Sequence, residues 1–185
     1  MKEIKKDVEF AFVGASNATA VGDATTAREM ASADQLIHAD TTTDAGAGGT
    51  DALTEAKMLV NMQAIYDAGG DANMMMVKPA DSLIIAGFTG ASGRTRDFND
   101  GQTTLTNAVN LYVSPFGEYK IVLNRHQMST HAFLLDPTMW RTATLRPFAR
   151  TLLAKTGDSD THMVVGELGL MHKNPKGSGQ INGLS

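Results

Sequence analysis

Residues 111–123, LYVSPFGEYKIVL, contain two apolar runs separated by a turn sequence. Large apolar side chains occupy alternate positions, at 109, 111 and 113 and again at 119, 121 and 123. A period of two is typical of β-strands, and Pro115-Phe116-Gly117 is typical of a turn. The stretch therefore predicts an antiparallel hairpin joined by four or five residues, and it indicates that sheet forms part of the fold.

A long helix is predicted upstream of this hairpin. Thr50 or Asp51 is expected to cap it, and Gly69-Gly70 is expected to end it after Ala68. Its apolar positions cover more than half of the circumference: Leu53, Ala56, Met58, Val60, Met62, Ala64, Ile65 and Tyr66. This pattern predicts a helix buried on more than one side. Val60→Asp is accordingly expected to bury an unpaired carboxylate and to unfold a marginal domain.

Short helices and strands are predicted on either side of that helix. Ile4, Val8, Ala11 and Phe12 recur at helical spacing, so residues 2–13 read as an amphipathic helix. Residues 15–49 read as loop with one ordered piece around 33–39. The remaining predictions are a strand at 74–77, a helix from Pro79 through Ile85, and extended segments at 133–135, 140–145 and 163–170. The tail from residue 173 predicts a turn and at best a short terminal strand. This mixture predicts an α+β fold.

Composition limits the classes of function. A chain of 185 residues with 42% apolar and 19% charged residues is typical of a globular domain. The absence of cysteine excludes disulfides, thiolate metal sites and a cysteine nucleophile. A net charge of −4 argues against a surface that neutralises phosphates. The longest apolar run, residues 83–88, is far shorter than a membrane span.

Motif spacings indicate no catalytic or cofactor site. The segment 83–95 superficially resembles a strand entering a phosphate-binding loop, but its first glycine is one residue early and Arg94 stands where lysine is required. The nearest serine strings, 14–17 and 90–93, lack the Gly-x-Ser-x-Gly elbow. The acidic turn 156–161 lacks the spaced ligands and closing glutamate of a calcium loop. The sequence therefore predicts no catalytic residue, no cofactor and no nucleotide site.

The histidines show no metal-ligand spacing. His126 and His131 are five residues apart, which suits neither one helix face nor one side of a strand. The other three are scattered: His38, His162 and His172. The expectation is therefore ordinary polar or interface histidines and no bound metal.

The order of strings from residue 111 onward resembles tailed-phage major capsid proteins with the Hong Kong 97-like fold. Those strings are LYVSPFG at 111–117, IVLNR at 121–125, LLDP at 134–137, LRPF at 145–148, AKTGD at 154–158 and VVGEL at 164–168. The helix at 2–12 and the helix ending YDAGG at 66–70 are in the family's order as well. The resemblance covers nearly the whole chain.

The resemblance implies an axial domain, a peripheral domain and the end of a spine helix. Residues 1–14 correspond to the end of the spine helix, 15–49 to a loop-rich segment, 50–136 to the axial domain, 137–172 to the return strands of the peripheral domain, and 173–185 to the tail. The resemblance also implies that the family's N-terminal arm and extended loop have no counterpart in this sequence. The chain is therefore expected to populate monomers or small oligomers and to close shells only when both are restored. The segment 87–101 is expected to be an exposed, mobile loop near the capsomer axis.

The implied function is a structural subunit of a bacteriophage capsid shell. Basic residues interleaved with apolar positions suit a wall subunit that meets several neighbours: Arg141, Arg146, Arg150 and Lys155. Implied partners are copies of the chain together with scaffold and portal proteins, without a membrane or sequence-specific nucleic acid. The implied location is the virion, assembled in the host cytoplasm. Two alternatives remain open, an encapsulin-like compartment shell and a small hydrolase or nucleotide-binding domain.

Overall fold

A six-stranded mixed sheet and a long separate hairpin organise the computed structural model, which describes residues 2–46, 51–88, 111–155 and 157–185. The helices are α1 Lys2–Glu9, continued by a π-helical turn Phe10–Gly14, then α2 Ala33–Leu36, α3 Glu55–Asp67 and α4 Pro79–Ala86, with short 3-10 turns at Ala39–Thr41 and Pro137–Met139. The strands are β1 Thr42–Asp44, β2 Met74–Val77, β3 Leu111–Ser114, β4 Gly117–Leu123, β5 Ala132–Leu135, β6 Trp140–Leu152, β7 His162–His172 and β8 Gly179–Asn182. The α+β prediction is confirmed in this architecture.

The sheet has strand order β1-β8-β5-β2-β4-β3 and buries both faces at its centre. Alternate side chains of a strand point to opposite faces, so Met75 and Val77 of β2 enter a core beneath α3 and α4. Met74 and Met76 pack on the opposite face against a second cluster built on Phe133 and Leu135. All four residues of β5 are buried because both of its faces are covered. The predicted strands at 74–77 and 133–135 are confirmed.

Helix α3 begins later and buries less than the sequence pattern predicts. The Thr54 hydroxyl accepts the Lys57 amide at 3.3 Å, so the helix starts at Glu55 and not at Thr50 or Asp51. It ends as predicted at Gly69, whose φ of +77° favours glycine, while the Gly70 amide bonds back to the Ile65 carbonyl.

Only one side of α3 faces the sheet. Its buried residues are Met58, Asn61, Met62 and Ile65. Val60 is 56% exposed and Tyr66 is 61% exposed. The prediction of burial on several sides, and with it the severe effect of Val60→Asp, is therefore wrong, because apolar residues on the outer side of this helix face away from the sheet.

The β3–β4 hairpin is confirmed, but its connection is shorter than predicted. Ser114 pairs with Gly117, which leaves two residues, Pro115 and Phe116, in the turn. The Ser114 hydroxyl accepts the Phe116 amide at 3.2 Å, and Gly117 has a φ of +139°. A hydroxyl-braced turn ending in glycine allows this tight reversal.

The sheet also includes two short strands, β1 and β8, that lie far apart in the sequence. β1 lies inside the stretch predicted to be loop, so that prediction is wrong for residues 42–44. β8 confirms the predicted terminal strand, but it is an inner strand, paired with β1 on one side and β5 on the other. Buried Asn61 of α3 joins them, since its Nδ2 donates to the Thr41 carbonyl at 2.8 Å and the Gln180 carbonyl at 2.9 Å. The division of the chain into domains at residues 50 and 136 stays a prediction.

The remaining local predictions concern three helical segments and one loop. The predicted helix from Pro79 is confirmed as α4, with Pro79 at its first position. Residues 2–13 are helical as predicted, although the last turn is π-helical. The ordered piece predicted around 33–39 is confirmed by α2 and the following 3-10 turn. Most of the loop predicted to be mobile, residues 89–101, lies outside the described residues.

Candidate assembly surface

Strands β6 and β7 form a long two-stranded arm that projects from the sheet. They pair antiparallel from Trp140 with His172 to Leu152 with His162, with irregular register on either side of Arg146. These strands are longer than the predicted extended segments 140–145 and 163–170. Among the described residues no third strand pairs with either of them, and neither strand has a buried residue. An isolated two-stranded hairpin is marginal in water, so this arm needs packing on its faces.

The arm carries an unusual amount of exposed apolar surface. Eight large side chains are between 37% and 71% exposed: Leu145, Phe148, Leu152, Leu153, Met163, Val164, Val165 and Met171. A soluble monomer usually scatters such residues, whereas contiguous apolar patches mark interaction sites. The faces of this arm are therefore candidate contacts with another molecule.

Cross-strand pairs give the arm its internal order. The Phe148 ring covers Gly166, where a Cβ atom would overlap the ring. Arg146 holds Glu167 in a bidentate ion pair, with Nε and Nη2 at 3.0 and 2.7 Å from the two carboxylate oxygens. Glycine under an aromatic ring lets the ring lie flat on the opposite strand, which compensates for the missing side chain.

A buried cluster anchors the base of the arm to the sheet. The Trp140 and His172 rings stack with centroids 4.0 Å apart and an interplanar angle of 9°. The fully buried Ser178 hydroxyl oxygen accepts the Trp140 indole N–H at 3.1 Å and the Asp136 amide at 3.4 Å. Both lone pairs of this oxygen are then used, so its hydrogen must be donated to His172 Nε2, 3.2 Å away.

The protonation of His172 follows from this geometry. Nε2 must be an acceptor, so neutral His172 carries its proton on Nδ1, 3.4 Å from the Leu36 carbonyl. Burial lowers the pKa of His172, although the Leu36 carbonyl and the Asp136 charge act in the opposite direction. Ser178 is enclosed and already bound by two N–H donors, so this serine–histidine pair acts as a structural clamp and not as a nucleophile with its base.

A broad open groove lies between the arm, α1 and the loop before α2. One wall is the half-buried apolar stripe of α1, with Ile4, Val8 and Ala11. The opposite wall is the proximal part of the arm, including Leu145 and Phe148. Residues 20–23 and 26–30 close the third side. The amphipathic pattern predicted for residues 2–13 thus faces this groove, which we call the hairpin groove.

The rim of the hairpin groove is acidic. Asp7, Asp23 and Glu29 line it and have no ion-pair partner among the described residues, while Arg28 is the unpaired cation there. The amides of Thr25 and Thr26 hold the Asp23 carboxylate and lower the pKa of Asp23 to about 2. This carboxylate is therefore charged at physiological pH, and the rim favours a cationic partner.

The histidines considered as metal ligands occupy separate places. His38 caps the 3-10 turn and contacts Asp40 at 3.3 Å, a residue that also binds Lys176. His131 stacks on Phe133, and burial lowers the pKa of His131. His126, His162 and His172 lie on a loop, the arm and the arm base. The described ranges contain no group of three or more His, Cys, Asp or Glu able to hold a metal.

The other strings considered for chemistry also stay apart. Ser16 and Ser32 both donate to the Asp34 carboxylate at 2.5 Å, which ties the loop to α2. In the acidic turn, Asp160 pairs with Lys155 at 3.1 Å. Residues 83–86 of the string resembling a phosphate-binding loop belong to helix α4, and residues 89–95 lie outside the described part of the chain. None of the helices in the described part is long and apolar enough to cross a membrane.

Comparisons with known proteins identify similar sequences and structures. A family model described as SU10 major capsid protein matches residues 1–185. The major capsid protein of Escherichia phage Phieco32 is 32% identical over 119 residues, which is 63% of this chain and 34% of that protein. The chain thus spans about a third of the length of this curated relative. Among solved structures, the virus-like particle from Pyrococcus furiosus is similar with a TM-score of 0.47 and 10% identity, covering 98% of this chain and 64% of that one.

Proposed function

Because this chain belongs to the SU10 major capsid protein family, we propose that it is a structural subunit of a bacteriophage capsid shell that assembles through contacts between copies. The family match over the whole chain is the observation that carries the proposal, and the name of the Phieco32 relative agrees with it. A shell subunit must present several surfaces to identical neighbours, and the exposed apolar arm suits that requirement.

The role is structural and not catalytic. The family is a capsid family, and the clusters most similar to catalytic ones are buried clamps at Ser178 and Asp34. The family match favours a phage shell over an encapsulin-like compartment and over a small hydrolase or nucleotide-binding domain. The subunit is accordingly placed in the virion.

The finer assignment is a Hong Kong 97-like subunit. In this proposal α1 is the end of the spine helix, and residues 50–136, which supply α3, α4 and four of the six sheet strands, form the axial domain. The β6–β7 arm supplies the return strands of the peripheral domain. The separation of the arm from the sheet and the position of α1 beside the arm support this division. Scaffold and portal proteins as further partners, and assembly in the host cytoplasm, belong to the same proposal.

Quantitative mass spectrometry of purified virions tests the function. Tryptic peptides of this sequence, including 142–150 on the arm, are expected among the most abundant peptides of the virion. Recovery of the chain only from the infected cell, or in the virion at a few copies per particle, would contradict a shell role. The proportion of peptides from outside this sequence in the same polypeptide also measures how much of the protein the chain represents.

A further inference from the structure

We propose that the hairpin tip, residues 149–153 and 161–165, docks into the hairpin groove of a second copy of this chain. The inference rests on the proposed shell function and specifies the two surfaces through which copies meet. The proposed contact is heterologous, because the tip of one copy meets the groove of the next.

The exposed area of the arm is the first argument. Five large apolar side chains of the tip are 37–58% exposed: Leu152, Leu153, Met163, Val164 and Val165. They are distributed over both faces of the ladder and together leave roughly 400 Å² of surface, which is within the range of the largest apolar patches on soluble monomers. A standard interface takes about 800 Å² from each partner. The tip can thus supply about half of one side of a standard contact. The groove offers a matching apolar wall in the half-buried stripe Ile4, Val8 and Ala11.

Charge complementarity selects the partner surface. Arg150 is exposed on the tip and has no ion-pair partner in the described part of the chain, whereas Lys155 is already paired with Asp160. Arg150 lies opposite Val164 and on the same face as Leu152, so the cation projects from an apolar face. Within the described part of the chain, three carboxylates on the groove rim lack an ion-pair partner, against one such arginine. An apolar face with one cation therefore meets an apolar groove with a net negative rim.

The groove that receives the tip must belong to another copy. The tip continues the same ladder whose proximal part, including Phe148 and Gly166, forms the groove wall. It cannot fold back into its own groove without breaking the pairs from Ala149 to Leu152. A contact between two different surfaces propagates from copy to copy and closes rings or shells, whereas a contact of one surface with itself stops at a dimer.

Disulfide trapping tests the contact directly, because the chain has no cysteine of its own. One protein carries Leu152→Cys in the tip, and a second, of different mass tag, carries Val21→Cys on the groove rim. Both parent residues are exposed. A matched control replaces the second protein by Leu83→Cys, an exposed position on α4. We expect the tip–groove dimer to exceed the tip–α4 dimer by roughly tenfold under mild oxidation, as a docked geometry requires.

Charge reversal in the same trapping assay tests the electrostatic part. Arg150→Glu in the Leu152→Cys protein is expected to lower the tip–groove yield several-fold, and Asp7→Arg in the Val21→Cys protein is expected to restore part of it. Arg141→Glu is the control, since Arg141 is an exposed arginine at the other end of the same strand. That change is expected to leave the yield within about twofold of the parent.

Equal yields for the groove and α4 positions would overturn the inference, as would a loss of yield with Arg141→Glu equal to that with Arg150→Glu. Ala27→Cys, an exposed residue on the same rim, provides a second groove position should Val21→Cys fail to fold. Light scattering on the unsubstituted chain separates the two proposals. Association without tip–groove trapping removes this contact and leaves the shell function, which virion mass spectrometry tests independently.

Discussion

Replacing Asn61 by leucine should destabilise the fold far more than its place in an apolar helix suggests. Leucine has a similar branched shape, so the change mainly removes hydrogen bonds. Nδ2 has two hydrogens, and it lies 2.8 and 2.9 Å from the Thr41 and Gln180 carbonyl oxygens, which accept them, and 2.9 Å from the Thr43 hydroxyl, in a fully buried site. Leaving buried acceptors unpaired costs about 1–3 kcal/mol each.

The net effect is smaller than the sum of those losses. Asn61 Oδ1 is itself buried without a hydrogen-bond partner, so leucine also removes an unsatisfied acceptor. We therefore expect a loss of about 2–4 kcal/mol in the free energy of unfolding, which shifts a urea midpoint by about 1–2 M. The experiment is urea denaturation followed by circular dichroism, on the parent and the variant.

Val60→Asp is the matched control on the neighbouring position. Val60 is 56% exposed, so its replacement should change the free energy of unfolding by less than about 0.5 kcal/mol. An unchanged midpoint for Asn61→Leu would show that the amide does not hold β1 and β8 on α3. A large loss for Val60→Asp would show that the outer side of α3 is packed, as the sequence pattern predicted.

Substitutions at the buried histidines, at the end of α3 and on the arm have effects set by local geometry. Burial lowers the pKa of both His131 and His172, so the unfolded chain binds more protons, and the free energy of unfolding should fall as the pH drops below about 6.5. In thermal melts, a His131→Gln/His172→Gln variant should lose less stability than the parent between pH 7 and 5. An identical loss in both proteins would refute this. Gly69→Ala should cost about 1 kcal/mol in urea denaturation from its positive φ alone, because no atom lies within 4 Å of the new Cβ; no loss would mean that the helix ends differently. Arg146→Ala should cost less than about 1 kcal/mol in the same assay, since its pair with Glu167 is largely exposed, and a larger loss would indicate that the pair is shielded.

Local sequence patterns predicted two kinds of element: strands that are covered on both faces, and helix ends that are determined by adjacent residues. β2 and β5 are short apolar runs covered on both faces, so their residues needed no face assignment. α4 was predicted from Pro79 at its start. The end of α3 followed from Gly69-Gly70, because only the backbone of the preceding turn decides it.

Elements that depend on residues far away in the chain could not be predicted from the sequence. β1 has the polar sequence Thr-Thr-Asp and forms a strand only because β8 lies beside it, 138 residues further along the chain at the pair Thr42 with Gln180. Asn61 reads as an ordinary helix residue until its bonds to both strands are seen. The burial pattern of α3 failed for a related reason, since apolar residues on an outer side look the same in sequence as those on an inner side.

The candidate assembly surface was likewise predicted only in part from the sequence. The resemblance of the ordered strings led to the shell function, and the family match confirmed it at the level of a phage major capsid protein. The sequence also predicted extended segments at the arm. It could not show that their apolar side chains stay exposed within one copy, because alternation is the same whether a face is covered by the same chain or by another. The Trp140, His172 and Ser178 anchor joins residues from three segments and has no sequence signature.

Cryo-electron microscopy of the native virion at side-chain resolution tests the shell assignment most directly. The account predicts that this sequence fits density repeated throughout the icosahedral shell, with the β6–β7 arm at contacts between neighbouring copies. Shell density that accommodates only a different sequence, with this chain absent or confined to a single vertex, would contradict it.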